Sequence, residues 1–321
     1  MKYVLLFFWL CVMPKSQADI TIPEDKLTAL AQAIAMATGI DQSSIKDDLQ
    51  EASFQEDLIT SVSRPKQPMN WLKYRQATIT PDVINNGQRF CQTWQSELRL
   101  MEKRFGVPAS IVAAIIGVET RYGRNLGQRR LLDTLTTLAL ADPRRQPFFF
   151  HELKEWFLLN REESIPLVTQ GSFLGAFGIS QFLPSVFRDY AIDFDGDGKK
   201  DIFSMPDAIG SVGHFFFLKG WQENMMISIP VKVAGMPKEE DFPVEPTLSL
   251  EELQNRGIQF AADDTNLPKR ATLIILSSPT GEVEYRLGFR NFYILTRYNK
   301  SYPYARSVEL LAESLQKSCT F

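Results

Sequence analysis

The stretch PASIVAAIIGVETRYG, residues 108–123, places an acid, Glu119, at the end of a run of aliphatic residues. Pro108 fits the first turn of a helix and Gly123 fits a C-terminal cap, so the segment is predicted to be helical. On a helix, the positions three, four and seven residues before Glu119 share its face, and all three are aliphatic. The segment therefore predicts a core helix that carries a carboxyl group near its end.

If this face points inward, the Glu119 carboxyl group loses its contact with solvent. Burial disfavours the ionised form, so the pKa of the group rises towards the range in which a carboxylic acid donates a proton near neutral pH. Glu119 is thus a candidate general acid. The segment alone also permits a structural role, in which Glu119 ends a core helix and pairs with Arg121 or Arg124 or faces water.

The composition is that of an ordinary globular protein. The chain has 321 residues, 44% of them hydrophobic and 23% charged, which is enough for two or three subdomains. Residues 1–18 have the features of a secretory signal, with Lys2, an apolar run over residues 3–13 and small residues before Asp19. Without this segment, 33 basic and 38 acidic residues give a formal charge of −5, which argues against nucleic acid as a partner.

The cysteines indicate an exported protein without a lipid anchor. Cys11 lies inside the predicted signal and follows three bulky residues, Phe8, Trp9 and Leu10, where a lipid-attachment cysteine normally follows small ones. A soluble periplasmic or otherwise exported protein is therefore expected. Cys91 and Cys319 could form one disulfide there, but 228 positions separate them, and free buried cysteines are also common.

Helical periodicity dominates the first two-thirds of the chain and returns at its end. Helices are predicted at residues 24–38, 42–61, 81–105, 109–122, 147–160, 206–219 and 303–317. Strands are predicted at residues 227–233, 271–276, 282–287 and 291–296, with a hairpin turn at residues 279–281. The expected fold is mainly α with a small antiparallel β insert.

This pattern predicts four segments along the chain. They are the signal peptide at 1–18, N-terminal helices and a core at 19–224, a β-rich insert at 225–297 and a C-terminal helix at 298–321 that rejoins the core.

Residues 193–207, DFDGDGKKDIFSMPD, have the pattern of a calcium-binding loop. Asp193, Asp195 and Asp197 occupy loop positions 1, 3 and 5, and Gly198 occupies position 6. Ca²⁺ needs six to eight oxygen ligands, alternation directs successive carboxylates inward, and glycine permits the sharp turn. A structural Ca²⁺ ion is therefore predicted.

The same loop departs from the usual pattern at its end. Lys199, at position 7, contributes only its backbone carbonyl, and Ser204 stands at position 12 in place of a bidentate glutamate. Asp207, three residues later, is the expected substitute ligand. The alternative is a hydrated turn in which the aspartates accept hydrogen bonds from their own backbone.

Five motifs, in this order, resemble the lytic murein transglycosylase B family. They are GVETRYG at 117–123, DPRR at 142–145, GSFLGAFGISQFLPS at 171–185, DFDGDG at 193–198 and RYNKSYPYA at 297–305. The resemblance implies a lysozyme-like helical core that cleaves peptidoglycan between N-acetylmuramic acid and N-acetylglucosamine. It further implies a product with a 1,6-anhydro end and no organic cofactor.

The resemblance assigns the single catalytic acid to Glu119. It implies substrate-binding roles for Tyr74, Arg144, Arg145, Ser172, Phe173, Gln181, Tyr298, Asn299, Ser301 and Tyr304. Without the resemblance, these residues would be interpreted as caps, turns, core aromatics and solvated cations. Phe215 departs from the family, in which tyrosine stands at that position.

Two other functions stay open from the sequence. A hydrolytic muramidase would use water and a second acid such as Asp133 or Glu162. A Ca²⁺-stabilised protein that only binds peptidoglycan would release no soluble fragments. A monomer is the expected state, and complexes with other cell-wall enzymes stay open.

Overall fold

The computed structural model describes residues 22–63, 70–141, 145–260 and 267–320. The predicted signal peptide and one predicted site residue, Arg144, lie outside the described residues. Within the described ranges, the helices are α1 Glu24–Thr38, α2 Gln42–Gln50, α3 Glu56–Ser63, α4 Trp71–Thr78, α5 Pro81–Thr93, α6 Gln95–Phe105, α7 Ala109–Thr120, α8 Leu131–Ala141, α9 Gln146–Glu162, α10 Pro184–Tyr190, α11 Met205–Leu218, α12 Leu250–Asn255, α13 Arg290–Tyr298 and α14 Tyr302–Leu315.

The strands are short and antiparallel, so the prediction of a mainly α fold with a small antiparallel β component is confirmed. They are β1 Arg129–Arg130, β2 Gln170–Gly171, β3 Ser228–Pro230, β4 Lys232–Val233, β5 Leu248–Ser249, β6 Ile258–Gln259, β7 Arg270–Ser277 and β8 Val283–Gly288. None of the helices in the described part of the chain combines the length and hydropathy that a bilayer span requires.

The described elements group into two units. Of the described residues, the first unit contains 70–122, 212–260 and 267–320, and the second contains 22–63, 123–141 and 145–211. The boundaries predicted at residues 224 and 297 both fall within the first unit. The scheme of a core with a β-rich insert stays a prediction.

Helix α7 lies at the centre of the helical part of the first unit, where it packs against α5, α6 and α14. Residues 111–116 are at most 2% exposed, so the helix is apolar around its whole circumference. A helix of this kind belongs in a core. The aliphatic run predicts this position correctly.

The first unit also contains a four-stranded sheet with the strand order β3-β8-β7-β5. Strands β7 and β8 form the predicted hairpin, with pairs from Thr272↔Gly288 to Ser277↔Val283. Gly281 has φ of +88° in the turn, and its N–H group donates to the carbonyl oxygen of Ser278 at 3.0 Å. Apolar side chains that include Leu273 and Leu287 form the core beside this sheet.

The second unit is built around α8 and α9, which pack against each other, and α9 also contacts α1 and α10. Its core is aromatic. Phe177 packs edge-on against Trp156 at 5.5 Å and stacks on Phe187 at 5.7 Å between ring centroids.

One predicted strand, at residues 291–296, is wrong, because these residues belong to α13. The buried residues of this segment include Asn291, Phe292, Leu295 and Thr296, and the pairs four residues apart lie on one helical face. The β-branched residues among them suggested alternation. Tertiary packing overrides this preference. The Asn291 side chain donates hydrogen bonds to the backbone carbonyl oxygens of Gln222 and Met225.

Two long predicted helices are each divided in two. The first is interrupted after Gln50, where the N–H group of Ser53 donates to Asp133 at 3.0 Å and that of Gln55 donates to Thr137 at 3.1 Å. The second is interrupted at Trp94.

The sequence analysis also missed α8, since nine of its residues are buried and an evenly buried helix shows no amphipathic period.

Cys91 and Cys319 form a disulfide with their Cα atoms 5.1 Å apart. It joins α5 to the residues that follow α14, so it closes a loop over 228 positions of the chain. A crosslink over such a distance restricts the unfolded chain strongly.

Replacing both cysteines by alanine should lower the free energy of unfolding by about 2–5 kcal/mol, because the loop is no longer closed in the unfolded state. Urea unfolding monitored by circular dichroism measures the difference. Dithiothreitol should destabilise the wild-type protein and leave the double variant unchanged. An equal response of both proteins to the reductant would contradict the crosslink.

Candidate active site

Glu119 lies in the last turn of α7, and the chain turns sharply after it. The predicted cap at Gly123 is wrong, because α7 ends at Thr120 and Arg121 and Tyr122 both adopt left-handed conformations, with φ of 49° and 62°. Their N–H groups donate to the carbonyl oxygens of Gly117 and Ile116. The helix thus terminates directly beside the acid, at two residues for which positive φ is unfavourable.

The Glu119 side chain is buried, with 7% of its surface exposed. The Tyr304 hydroxyl group donates a hydrogen bond to its Oε1 atom at 2.6 Å. Burial raises the pKa of Glu119 from its ordinary 4.5 to about 7, and the hydrogen bond from Tyr304 lowers it in part. The buried aliphatic face therefore has the effect on the acid that the sequence predicts.

Three tyrosines surround this carboxyl group. Tyr74 comes from α4, Tyr298 from the end of α13 and Tyr304 from α14. Burial, together with the negative charge of Glu119, raises the pKa of each phenol above its ordinary value. All three stay neutral near pH 7, so each can donate a hydrogen bond to a carboxylate or to a sugar.

The ring of Tyr298 is held by aromatic packing. It stacks on Phe216 at 5.6 Å and meets Phe215 edge-on at 5.0 Å between centroids. Phe215 therefore supports Tyr298 through its ring.

Asn299 and Ser301 lie in the turn between Tyr298 and Tyr304. Both are buried, and the backbone N–H group of Ser301 donates to the carbonyl oxygen of Asn299 at 2.7 Å. The Ser301 Oγ atom accepts from the N–H group of Tyr304 at 3.3 Å, which caps α14. The turn thereby fixes where α14 begins and where Tyr304 points.

Ser172 and Gln181 belong to the second unit. The Ser172 Oγ atom accepts from the N–H group of Ala176 at 3.1 Å. Gln181 has φ of 51°, and its Nε2 atom donates to the carbonyl oxygens of Gly178 and Leu126. Its Oε1 atom is buried and accepts no hydrogen bond within the described residues, so Gln181 presents an acceptor that a ligand N–H group would satisfy.

The other predicted residues of the second unit lie apart from these hydrogen bonds. Phe173 is half-buried, which leaves part of its ring available. Arg145 precedes α9 and places its guanidinium group over the Phe149 ring, 5.7 Å from the centroid.

The second unit also contains an open cavity of about 490 Å³. Its lining includes Arg124, Leu126, Gly127, Thr169, Gln170 and Phe203. The sequence analysis identified none of these as binding residues, because Gln170 lies in a two-residue strand and the others lie in loops without a periodic pattern. Gln181 supports the wall through its bond to Leu126.

Both proposed second acids are engaged in ion pairs. Asp133 accepts from Arg130 at 2.6 Å and from the N–H group of Ser53. Glu162 is exposed and pairs with Arg188 at 2.6 Å. These contacts are those of structural carboxylates.

The aspartate loop brings three of the predicted ligands together. Carboxylate oxygens of Asp193, Asp195 and Asp197 lie within 4.8 Å of one another. Asp193 also accepts from the N–H groups of Gly196 and Gly198, at 2.7 and 2.9 Å, as in the alternative of a self-capped turn. Each carboxylate oxygen has a second lone pair, so this oxygen donor set still suits a hard cation.

Asp207 lies in the first turn of α11 and is 1% exposed. One of its oxygens accepts from the N–H group of Phe194 at 2.7 Å, and the other accepts from that of Asp201 at 2.8 Å. The carboxylate therefore holds the two ends of the loop together. Its predicted contact with a metal ion stays a prediction, as does that of the exposed Lys199.

Comparisons with known proteins agree on one family. A family model described as a transglycosylase SLT domain matches residues 23–313. The chain is 38% identical over 260 residues to the membrane-bound lytic murein transglycosylase B of Escherichia coli (strain K12), which covers 80% of this chain and 70% of that protein.

Two solved structures are similar over most of the chain. The Escherichia coli lytic transglycosylase Slt35 in complex with calcium is 32% identical with a TM-score of 0.82, covering 92% of this chain and 93% of that one. SltB3 from Pseudomonas aeruginosa in complex with NAG-anhNAM-pentapeptide is 28% identical with a TM-score of 0.76, covering 91% and 79%.

The raised pKa of Glu119 predicts a pH-dependent stability. The pKa of Glu119 is about 7 in the folded protein and 4.5 in the unfolded chain. The protonated carboxyl group therefore contributes its full stabilisation below pH 4.5, and this contribution is lost as the pH rises through 7. Glu119→Gln should therefore gain stability relative to wild type over this range, on the order of 3 kcal/mol above pH 7.

Chemical denaturation at several pH values measures this gap. Glu282→Gln, at an exposed position, is the matched control and should show no comparable trend. A constant difference between Glu119→Gln and wild type from pH 4 to 8 would contradict the raised pKa.

Proposed function

The chain belongs to the transglycosylase SLT domain family, and from this membership we propose which of its residues carry out the reaction. It is an enzyme of the lytic murein transglycosylase type, with the lysozyme-like helical fold of its structural relatives. We propose that Glu119 is its catalytic acid. The supporting observation is a buried carboxyl group with a pKa of about 7 beside a tyrosine hydroxyl.

The proposed substrate bond joins N-acetylmuramic acid to N-acetylglucosamine in a glycan strand. Glu119 donates its proton to the bridging oxygen, the C1–O bond of the muramoyl residue breaks, and the N-acetylglucosamine end leaves as an alcohol. The acetamido group of the muramoyl residue stabilises the electron-poor anomeric carbon of that residue. Substrate assistance of this kind allows one acid to suffice.

The second half-reaction closes a ring. The Glu119 carboxylate takes the proton from the muramoyl C6 hydroxyl group while the oxygen of that hydroxyl group bonds to C1. This step gives the 1,6-anhydro end and restores the acid. Water is not consumed. That a relative is solved with a ligand named NAG-anhNAM-pentapeptide supports an anhydro product for this chain.

Tyr304 favours the ionised state between these two half-reactions. Its hydroxyl group donates to Glu119, and a hydrogen bond to a carboxylate is stronger than one to a neutral acid. The acid can therefore release its proton although burial opposes its charge. Burial and this hydrogen bond together set the pKa near neutrality.

The other predicted residues supply contacts to the sugars in this proposal. Tyr74, Tyr298 and Asn299 of the first unit offer aromatic faces and an amide for N-acetyl sugars. In the second unit, the buried Gln181 Oε1 atom suits an acetamido N–H group, and Phe173 suits a ring face. Arg145 and Arg144 would pair with lactate or peptide carboxylates, and Ser172 and Ser301 position their loops.

The hydrolytic alternative has less support. It needs a second carboxylate free to activate water, whereas Asp133 and Glu162 are held by Arg130 and Arg188. The mechanism through Glu119 needs neither of them. The measured product decides between the two.

We also propose that the aspartate loop binds a structural Ca²⁺ ion. The three clustered carboxylates and the Lys199 carbonyl supply oxygen ligands, and the relative Slt35 is solved in complex with calcium. The ion would screen the repulsion among the three aspartates and fix the loop between α10 and α11.

We place the enzyme in an exported compartment, where its glycan substrate and an oxidising environment occur. The signal-like residues 1–18 and the Cys91–Cys319 disulfide support this location. The peptidoglycan strand is the proposed partner. We expect the enzyme to act as a monomer.

Mass spectrometry of digested sacculi tests the reaction. Wild-type enzyme should release muropeptides about 18 Da lighter than the hydrolysed products and without a reducing end, since no water is added. Glu119→Gln should lose at least about 10³-fold in rate, because the amide cannot donate the proton. Hydrated products, or substantial activity of Glu119→Gln, would refute the assignment.

Removal of Ca²⁺ tests the loop separately. EDTA should lower the melting temperature, and added Ca²⁺ should restore it, because only the folded loop binds the ion. Asp195→Asn should abolish this response, whereas Asp189→Asn, at an exposed position outside the loop, should retain it. A melting temperature that changes with neither EDTA nor Ca²⁺ would contradict a metal site in the loop.

A further inference from the structure

A cluster of charged side chains joins the sheet of the first unit to α14. The charge cluster consists of Glu284 and Arg286 on β8 and Arg306 and Glu309 on α14. Both arginines are 7% exposed and Glu309 is 4% exposed. Burying so many charges costs desolvation energy, and an apolar cluster of the same volume is often as stable or more stable. Stability alone therefore does not account for the cluster.

Glu284 lies between two helices and bonds to both. Its Oε2 atom accepts from the indole Nε1 of Trp71 on α4 at 2.9 Å, and its Oε1 atom accepts from the Nε atom of Arg306 on α14 at 3.1 Å. Each carboxylate oxygen thus serves a different helix. Both partners are donors, so the position requires two acceptors on one short side chain.

The two helices that Glu284 joins carry two of the tyrosines around Glu119. Tyr74 lies three residues after Trp71, and Tyr304 lies two residues before Arg306. Tyr304 donates to Glu119, and Tyr74 is close enough for the charge of Glu119 to raise its pKa. A displacement of either helix would therefore move a group that faces the acid.

Two further bonds tie the same helices to the sheet. The Oγ atom of Ser278, in the β7–β8 turn, accepts from the N–H group of Leu72 at the start of α4 at 3.0 Å. The Ser228 hydroxyl group on β3 donates to Glu309 at 2.7 Å and accepts from the Nε atom of Arg286 at 2.7 Å. The sheet thus holds α4 and α14 at several points, and Glu284 is the side chain that bonds to both.

We propose that Glu284 is a positioning residue of this enzyme: by accepting from Trp71 and Arg306 at once, it fixes the spacing of α4 and α14 and so places Tyr74 and Tyr304 around Glu119. The proposal gives the β-rich segment a role in catalysis without contact with the glycan. It rests on the proposed function of Glu119.

Glutamine is the informative replacement for Glu284. It has nearly the same size, but its amide offers one acceptor atom and one donor atom. The introduced N–H group would therefore face either the indole N–H or the guanidinium N–H group, and one of the two contacts must break. The change also removes one negative charge beside Arg286 and Arg306, whereas Glu282→Gln makes the same charge change at an exposed position of the same hairpin.

The pH profile distinguishes positioning from general support. Tyr74, Tyr298 and Tyr304 face Glu119, and the hydrogen bond from Tyr304 lowers the pKa of Glu119. Weakening this bond raises that pKa, so the protonated acid persists to higher pH. The upper limb of the kcat/KM profile should then move to higher pH while the maximum falls.

The experiment measures release of anhydro muropeptides from purified sacculi between pH 5 and 9. Glu284→Gln should lower kcat about tenfold or more and move the upper limb upward by about half a pH unit or more, and Glu282→Gln should change neither. Tyr304→Phe should move the limb in the same direction. Adding Glu284→Gln to Tyr304→Phe should move it no further, because both act through one hydrogen bond.

The proposal is overturned if Glu284→Gln lowers only the melting temperature, with kcat and the upper limb as in wild type, or if the limb shifts add in the double variant. If Glu284→Gln does not fold, Trp71→Phe tests the proposal instead. This variant removes the indole N–H donor to Glu284 and keeps an aromatic ring. A several-fold rise in KM would support positioning through Tyr74, and an unchanged KM would overturn it. Activity of Glu119→Gln would instead refute the proposed function itself.

Discussion

The proposed mechanism depends on one constraint, which is that the buried Glu119 carboxyl group must both hold and release a proton. Glu119 holds its proton near neutral pH because aliphatic residues on α7 exclude water from it. It can release that proton because a phenolic hydroxyl group from another helix stabilises the charge that remains. The first requirement is met by seven consecutive buried residues of α7, whereas the second requires α14 to be placed within a fraction of an ångström. Much of the first unit meets this second requirement.

The placement of α14 depends on residues from several parts of the chain. Ser301 caps its first turn, the packing of Phe215 and Phe216 holds Tyr298 just before it, and the charge cluster ties its middle to the sheet. None of these groups needs to touch the glycan. The second unit has a feature of its own, since Gln181 keeps a strained backbone conformation and a buried acceptor without a partner among the described residues. Such features cost stability and are typical of binding sites.

Parts of the structure governed by local patterns were predictable from the sequence. The aliphatic run before Glu119 predicted a core helix and a perturbed acid, and Pro279 to Gly281 predicted the hairpin. Features set by contacts between distant parts of the chain were not predictable from the sequence. Residues 291–296 have strand-like composition but form a helix because Asn291 bonds to a turn about seventy residues earlier in the chain. The cavity residues Arg124 and Leu126 lie in a loop with no period. The two bonds of Glu284 span 213 and 22 positions. The Cys91–Cys319 pairing depends on tertiary packing that brings the two Cα atoms to 5.1 Å, which a separation of 228 positions does not indicate.

The Cys91–Cys319 disulfide has a further consequence for the covalent continuity of the chain. All of the second unit's residues after Gly123, and most of the first, lie between the two bonded cysteines. A protease that cuts one exposed loop in this interval leaves both fragments covalently attached, and the folded core can keep them in register. A nicked molecule would therefore migrate as an intact chain until its disulfide is reduced. In the exported compartment proposed above, this closure would let the catalyst survive a single cleavage without adding to its active site.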